Sequence, residues 1–179
     1  VGADGLKAGA NTLGITKDGA GTVYWAARLH YLIPAEKALP LMKGVEVKRT
    51  YRIPADDPSK ADTQPSGTVV TAEVTIRNTD NLRYVLLEEP IPAGCEVVAG
   101  DDDSPWDQPY NRREVWDNRV VWYFDYLPKG ETTVSYVLRT ESPGSYGILP
   151  TAASLMYFPE VRGSSKLARM RVAEVAPEP

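Results

Sequence analysis

Cysteine, histidine and phenylalanine are scarce: 179 residues hold one, one and two of them. With Cys95 alone no internal disulfide can form, and its bland reading is a small buried hydrophobe. With His30 alone no histidine-based zinc cluster can assemble, and a triad would depend on one side chain alternating with Arg28 along a strand. No apolar run approaches the roughly 18 residues of a membrane-spanning helix. Basic charge is in slight deficit, 20 Lys and Arg against 24 Asp and Glu, and the signs are interspersed, which argues against tight non-specific nucleic-acid binding. No Gly-rich phosphate loop or Gly-x-Ser-x-Gly elbow occurs, and Gly144-Ser145-Tyr146-Gly147 has the wrong spacing for either. Val1 stands where an initiator Met would, and neither the basic region nor the apolar run of a signal peptide follows. The chain is therefore expected to be a piece of something longer.

What is present is β-forming. The 42% hydrophobic content suffices for a self-sufficient core. Arg119 to Tyr126 reads as a strand, Leu127-Pro128-Lys129-Gly130 as its turn, and Thr132 to Thr140 as the returning strand of a hairpin. Ser142-Pro143-Gly144 punctuates the chain before a further extended segment, Tyr146 to Pro159. Upstream, Val45, Val47, Arg49, Tyr51 and Ile53 share one face of a strand beginning at Gly44. Val70, Ala72, Val74 and Ile76 share a face of the strand Thr68 to Asn78. Leu82 to Leu87 is another strand, Glu88 to Gly94 is expected to break pairing, and Cys95 to Val98 is a short edge. Arg162 to Ser165 reads as a turn and Lys166 to Val175 as a final strand. Seven to nine strands with short turns and no long amphipathic helix predict an all-β, two-sheet antiparallel β-sandwich. Before it, Leu13 to Thr16 and Thr22 to Tyr31 read as a hairpin lacking the partners that would cover it. Ile33 to Lys43 reads as a linker or one helical turn.

Candidate chemistry is thin. Asp56-Asp57, Glu88-Glu89 and Asp101 to Asp103 are adjacent carboxylates, which read as solvated turns rather than a glycosidase pair held across a cleft. Asp101-Asp102-Asp103-Ser104 lacks the spacing of a calcium loop. Tyr51-Arg52 and Arg83-Tyr84 read as ordinary cross-strand pairs. Trp25, Trp106, Trp116 and Trp122 could line a carbohydrate platform or pack in core and edge.

The stretch DNRVVWYFDYLPKGETTVSYVLRTESPGSYGILPTAASLMYFPEVRGSS, Asp117 to Ser165, resembles the C-terminal module of bacterial alpha-2-macroglobulin-like proteins. There a strand-turn-strand unit precedes an aromatic-Gly-Leu-Pro segment and then a Met-Tyr-x-Pro-Glu box. PIPAGCEVV (Pro90 to Val98) and AGTVYWAARLHY (Ala20 to Tyr31) resemble other family segments in family order.

The resemblance implies residues 1–35 as the end of an upstream CUB-like β-domain, 44–175 as a C-terminal macroglobulin-like sandwich, and 176–179 as a tail. Family members are non-enzymatic protease traps, usually with a thioester formed within Cys-x-Glu-Gln; Cys95-Glu96-Val97-Val98 departs from that motif, so this stretch does not carry it. No catalytic residue, cofactor or metal is implied. The implied partners are the thioester domain of the same polypeptide and target proteases, with no nucleic acid and no membrane contact by this stretch. Bacterial members are exported to the periplasm, often lipid-anchored at a distant N-terminus. The box maps onto Tyr157, flanked by Met156, Phe158, Pro159 and Glu160. It is expected either to face and shield the thioester or, for Met156 and Phe158, to end a strand in the core. A carbohydrate-binding or adhesion sandwich is the alternative, marked by exposed tryptophans in a row.

Overall fold

The computed structural model describes residues 5–7, 9–29, 32–52, 63–98 and 108–174. His30, Asp56-Asp57, Asp101 to Asp103 and Trp106 lie outside the described residues. The chain divides into two units, Val1–Leu32 and Ile33–Pro179.

In the smaller unit a tight turn forms where Asn11 accepts a hydrogen bond from the Lys7 amide at 2.8 Å and returns one to the Lys7 carbonyl, with Gly9 at φ +95° between them. The expected hairpin is not there: no strand occurs among the described residues of this unit, and Leu13, Ile15, Val23, Trp25 and Leu29 are exposed. A two-stranded ribbon with one apolar face and nothing against it gains too little burial to hold its ladder.

The larger unit is all-β after one 3-10 turn, Ala35–Lys37. Its strands are β1 (Leu41–Lys43), β2 (Val45–Arg52), β3 (Thr63–Pro65), β4 (Val69–Asn78), β5 (Leu82–Pro90), β6 (Cys95–Val97), β7 (Arg112–Trp116), β8 (Arg119–Leu127), β9 (Gly130–Thr140), β10 (Gly144–Ile148), β11 (Ala152–Leu155), β12 (Arg162–Ser164) and β13 (Ala168–Ala173). A front sheet runs β1-β12-β11-β5-β8-β7, a back sheet β2-β4-β9-β6, and a small side sheet β10-β13-β3. Among the described residues every strand pairing is antiparallel except β13 with β3, beside one isolated parallel bridge between Gly44 and Arg162.

Alternation explains the layers. Val70, Ala72, Val74 and Ile76 of β4 and Val134, Tyr136 and Leu138 of β9 bury one face of the back sheet. Val85 and Leu87 of β5 and Val120, Trp122 and Phe124 of β8 bury the facing side of the front sheet, and these residues form one core.

Several expectations are corrected. β8 and β9 are strong strands but not a hairpin: β8 pairs with β5 and β7, β9 with β4 and β6, so Leu127 to Gly130 crosses from front sheet to back. The β4–β5 connection crosses likewise. Asn78 Nδ2 ties the two crossings together, donating to the Asp80 carbonyl at 2.7 Å and the Pro128 carbonyl at 2.9 Å. Both strand pairs present apolar faces toward one another, and sheet-to-sheet arches bury those faces where a hairpin would leave one side bare. Glu88 to Pro90 does not break pairing, because β5 continues opposite Val121, Val120 and Arg119, with Pro90 at its end where a missing donor is tolerated. Residues 33–43 hold a strand as well as a helical turn, and Arg162 to Ser164 is a strand that pairs with both β1 and β11. Tyr146 to Pro159 is split by Leu149-Pro150 into β10 and β11, which lie in different sheets.

Candidate functional site: an aromatic tip and a buried ion pair

The link between β11 and β12 is a short closed loop. Leu155 N donates to Val161 O at 3.1 Å and Val161 N to Phe158 O at 2.9 Å, so the six residues from Met156 onward are pinched at their base and the intervening side chains are thrown outward. Met156 is 48% exposed, Tyr157 70% and Phe158 60%; Pro159 and Glu160 are exposed too. The expectation that Met156 or Phe158 would end a strand inside the core is therefore overturned, since the strand stops at Leu155 before alternation reaches them.

Tyr84 joins this tip. Its ring meets that of Tyr157 edge-to-face, centroids 5.3 Å apart at 87°, and its carbonyl accepts the Met156 amide at 2.9 Å. Among the described residues Tyr84 is the one non-glycine with positive φ, +56°, a conformation that costs an aromatic residue on the order of 1–3 kcal/mol. The ladder between β5 and β8 skips it: Arg83 pairs with Tyr126 and Val85 with Phe124. Leu82 and Val85 both face the core, as do their partners Leu127 and Phe124, so both strands change phase at this level. Sequence reasoning missed Tyr84 as a site residue; Leu82 followed by Val85, rather than Tyr84, in an apolar pattern was the available signal. Arg83 instead lies over Tyr126 of β8, 5.8 Å from its centroid, a cross-strand contact whose partner the sequence reading of Arg83-Tyr84 did not name.

The second arrangement is internal. Glu89 ends the inward series Val85, Leu87, Glu89 of β5, and Arg49 continues the inward series Val45, Val47, Arg49 of β2, so the two sheets bring an acid and a base together in the core. Arg49 Nη1 lies 3.2 Å from Glu89 Oε1, with both side chains buried. Tyr136 donates to the same oxygen at 3.2 Å, Tyr51 reaches it at 3.5 Å, and the Thr151 hydroxyl donates to Oε2. Arg49 also donates to the Leu149 carbonyl at 2.9 Å and stacks over Tyr51, 5.5 Å from its centroid. Ser165 closes the cluster, its amide bonded to Thr151 O and its hydroxyl accepting the Thr151 amide, both at 2.9 Å. Burial pushes the Glu89 carboxyl above the usual carboxylate range, with Arg49 pulling the other way, and burial and Glu89 push the Tyr136 hydroxyl up. Glu89 thus corrects the reading of Glu88-Glu89 as a solvated pair. Two oxygens with three hydroxyl donors and a guanidinium, enclosed on all sides, make a fastening between layers rather than a site open to substrate.

Cys95 is buried with its Sγ 3.5 Å from Met170 Sδ, and burial pushes its thiol up to about 11, as an inert core thiol requires. Among the described residues no group of three metal-ligating side chains occurs. Trp122 is fully buried against Tyr136 and Trp116 lies under Arg119, so no row of exposed tryptophans forms among the described residues of the larger unit.

The larger unit is thus a two-sheet sandwich with one apolar core, a buried ion pair inside it and an exposed aromatic loop at its surface. Residues 44–160, more than half of the chain, match the model of the bacterial alpha-2-macroglobulin MG10 domain, and the chain belongs to that family. An alpha-2-macroglobulin homolog of Nostoc is 22% identical over a 188-residue alignment covering 94% of this chain and 10% of that protein. Among solved structures, Salmonella alpha-2-macroglobulin reacted with methylamine is similar at TM-score 0.66 and 21% identity, covering 78% of this chain and 10% of that one. Trypsin-activated Escherichia coli alpha-2-macroglobulin is similar at TM-score 0.64 and 18% identity, covering 76% and 11%. The chain therefore spans about a tenth of the length of these relatives.

Proposed function

We propose that this chain is the C-terminal structural module of a bacterial protease trap, and that its β11–β12 tip covers a thioester carried by another domain of the same polypeptide. The observation that carries the reading is the tip itself: Tyr157, the most exposed aromatic of the larger unit's described residues, is presented by a loop pinched at its base beside Met156 and Phe158. Large apolar side chains grouped on one rigid loop mark a surface that another part of an assembly covers. A thioester persists only where water is excluded, and an amphipathic ring can seal such a site while its hydroxyl stays satisfied at the rim. That one relative was studied after trypsin activation and another after reaction with methylamine agrees with this chemistry. In this reading residues 1–35 end a CUB-like domain, 44–175 form the MG10 module, 176–179 are a tail, and the module itself performs no catalysis. Export to the periplasm follows from the family resemblance.

The test uses the full-length parent. Incubated with trypsin, it should give a protease-linked high-mass band on a denaturing reducing gel, abolished by prior methylamine. Tyr157→Ala should shorten the thioester's lifetime against methylamine about tenfold, equivalent to roughly 1.4 kcal/mol of lost barrier, while Tyr157→Phe changes it little. An unaltered lifetime in the alanine variant would refute the shielding role.

A further inference from the structure

Resting on the shielding reading, we propose that Tyr84 is the positioning residue of the tip: its left-handed backbone turns its ring out of the sheet to form the seat on which Tyr157 is held. Three independent features converge on it. The φ of +56° is one that L side chains rarely adopt. A glycine would meet it without strain, whereas the tyrosine carries the strain together with a ring at the surface. The strand partner skips the position, and both strands change phase around it, so the conformation is built into the sheet rather than confined to one side chain. Finally, the ring and the carbonyl of this one residue contact consecutive residues of the tip, Tyr157 by an edge-to-face contact at 5.3 Å and Met156 by a 2.9 Å hydrogen bond.

The chemistry of the seat is orientation. A tyrosine that is 70% exposed on a loop has several rotamers open to it in water. An edge-to-face partner favours one of them, and the hydrogen bond from the Met156 N–H to the Tyr84 carbonyl fixes the loop's height above the sheet. A lid held in its closing geometry loses less freedom when it meets the neighbouring domain, so the seat contributes to closure without touching the protected bond.

The experiment compares Tyr84→Gly, Tyr84→Phe and Tyr157→Ala in the full-length parent by the rate of methylamine reaction. In parallel, the Tyr157 ring resonances are followed by NMR in the chain described above. The expected result is reaction about fivefold faster in Tyr84→Gly, about 1 kcal/mol by the transition-state relation, with melting temperature not lowered because the backbone strain is relieved. Tyr84→Phe should behave as wild type, which a role for the hydroxyl does not predict, while a role for the backbone alone predicts a wild-type rate in Tyr84→Gly, where the positive φ is retained without strain. Tyr157 resonances should shift in Tyr84→Gly through loss of the neighbouring ring current. Fast reaction in Tyr157→Ala together with a wild-type rate in Tyr84→Gly would overturn the positioning role and leave shielding intact. If neither variant alters the rate, the shielding reading fails and the resonances decide: unmoved Tyr157 signals overturn the seat as well, and shifted ones uphold it as a determinant of tip geometry.

Discussion

Glu89 shows how far a single side chain can depart from its sequence neighbourhood. Glu88 beside it pairs with Arg119 at 2.8 Å, both partly exposed, whereas Glu89 is completely buried on the opposite face of the same strand. Removing Arg49 would leave the carboxylate without its counter-charge, so Arg49→Ala should cost about 3–5 kcal/mol in urea unfolding. Arg49→Met combined with Glu89→Leu should recover only part of that loss, because apolar packing replaces the ion pair but leaves the Tyr136, Tyr51 and Thr151 hydroxyls without their acceptor. The pH dependence follows from the raised native pKa of Glu89. Over the interval from the ordinary carboxylate value of about 4.3 up to that raised value, the native state holds a proton that the unfolded chain has released. The Glu89 contribution to stability is thus present at the acid end and declines as pH rises through the native pKa. Glu89→Gln removes this titration, so urea melts across the interval should show wild type losing stability relative to the variant with rising pH; parallel curves would mean that Glu89 ionises normally.

At the scale of elements, the sandwich depends on close crossings that only small residues allow. Gly163 of β12 lies where a Cβ would fall 2.1 Å from the Val45 carbonyl oxygen, a backbone atom that cannot move aside without shifting β2. Gly163→Ala should therefore cost more than the usual 1–3 kcal/mol of overpacking, read as a lowered urea midpoint. Gly44, at φ +83°, turns the chain from β1 at the edge of the front sheet into β2 at the edge of the back sheet. In the sequence, Gly44 read as the point where β structure restarts, whereas β1 already precedes it and Gly44 is the turn between two strands; Gly163 read only as part of a turn. Its significance arises from a contact across more than a hundred residues, which no local pattern carries.

On the scale of the whole molecule, the proposed role predicts a difference between this chain alone and the same residues within the parent. The amides of Phe158 and Tyr157 are at an exposed loop here, and a neighbouring domain seated on the tip would cover them. Hydrogen exchange of the Met156 to Val161 segment should be slower in the intact parent than in the excised chain, and should return toward the excised rate after methylamine treatment if the tip lifts off. Equal exchange in all three samples would place the thioester domain elsewhere.

The sequence by itself determined the fold class, the shared faces of β2 and β4, the existence of strands at β8, β9 and β13 and the exclusion of an internal disulfide, because alternation, turn chemistry and residue counts are local properties; the Met156 to Glu160 box was marked by the family resemblance alone. Which sheet each strand joins was decided only by the tertiary structure. The hairpin read between Arg119 and Thr140 is in fact a crossing, since two apolar faces gain more by covering one another than by lying side by side in one sheet. The same holds for the buried pair and the aromatic tip: Arg49 meets Glu89 across 40 residues of chain, and Tyr84 meets Tyr157 across a still longer separation. Such pairs have no signature within any short window, because packing of the layers brings them together rather than any local preference.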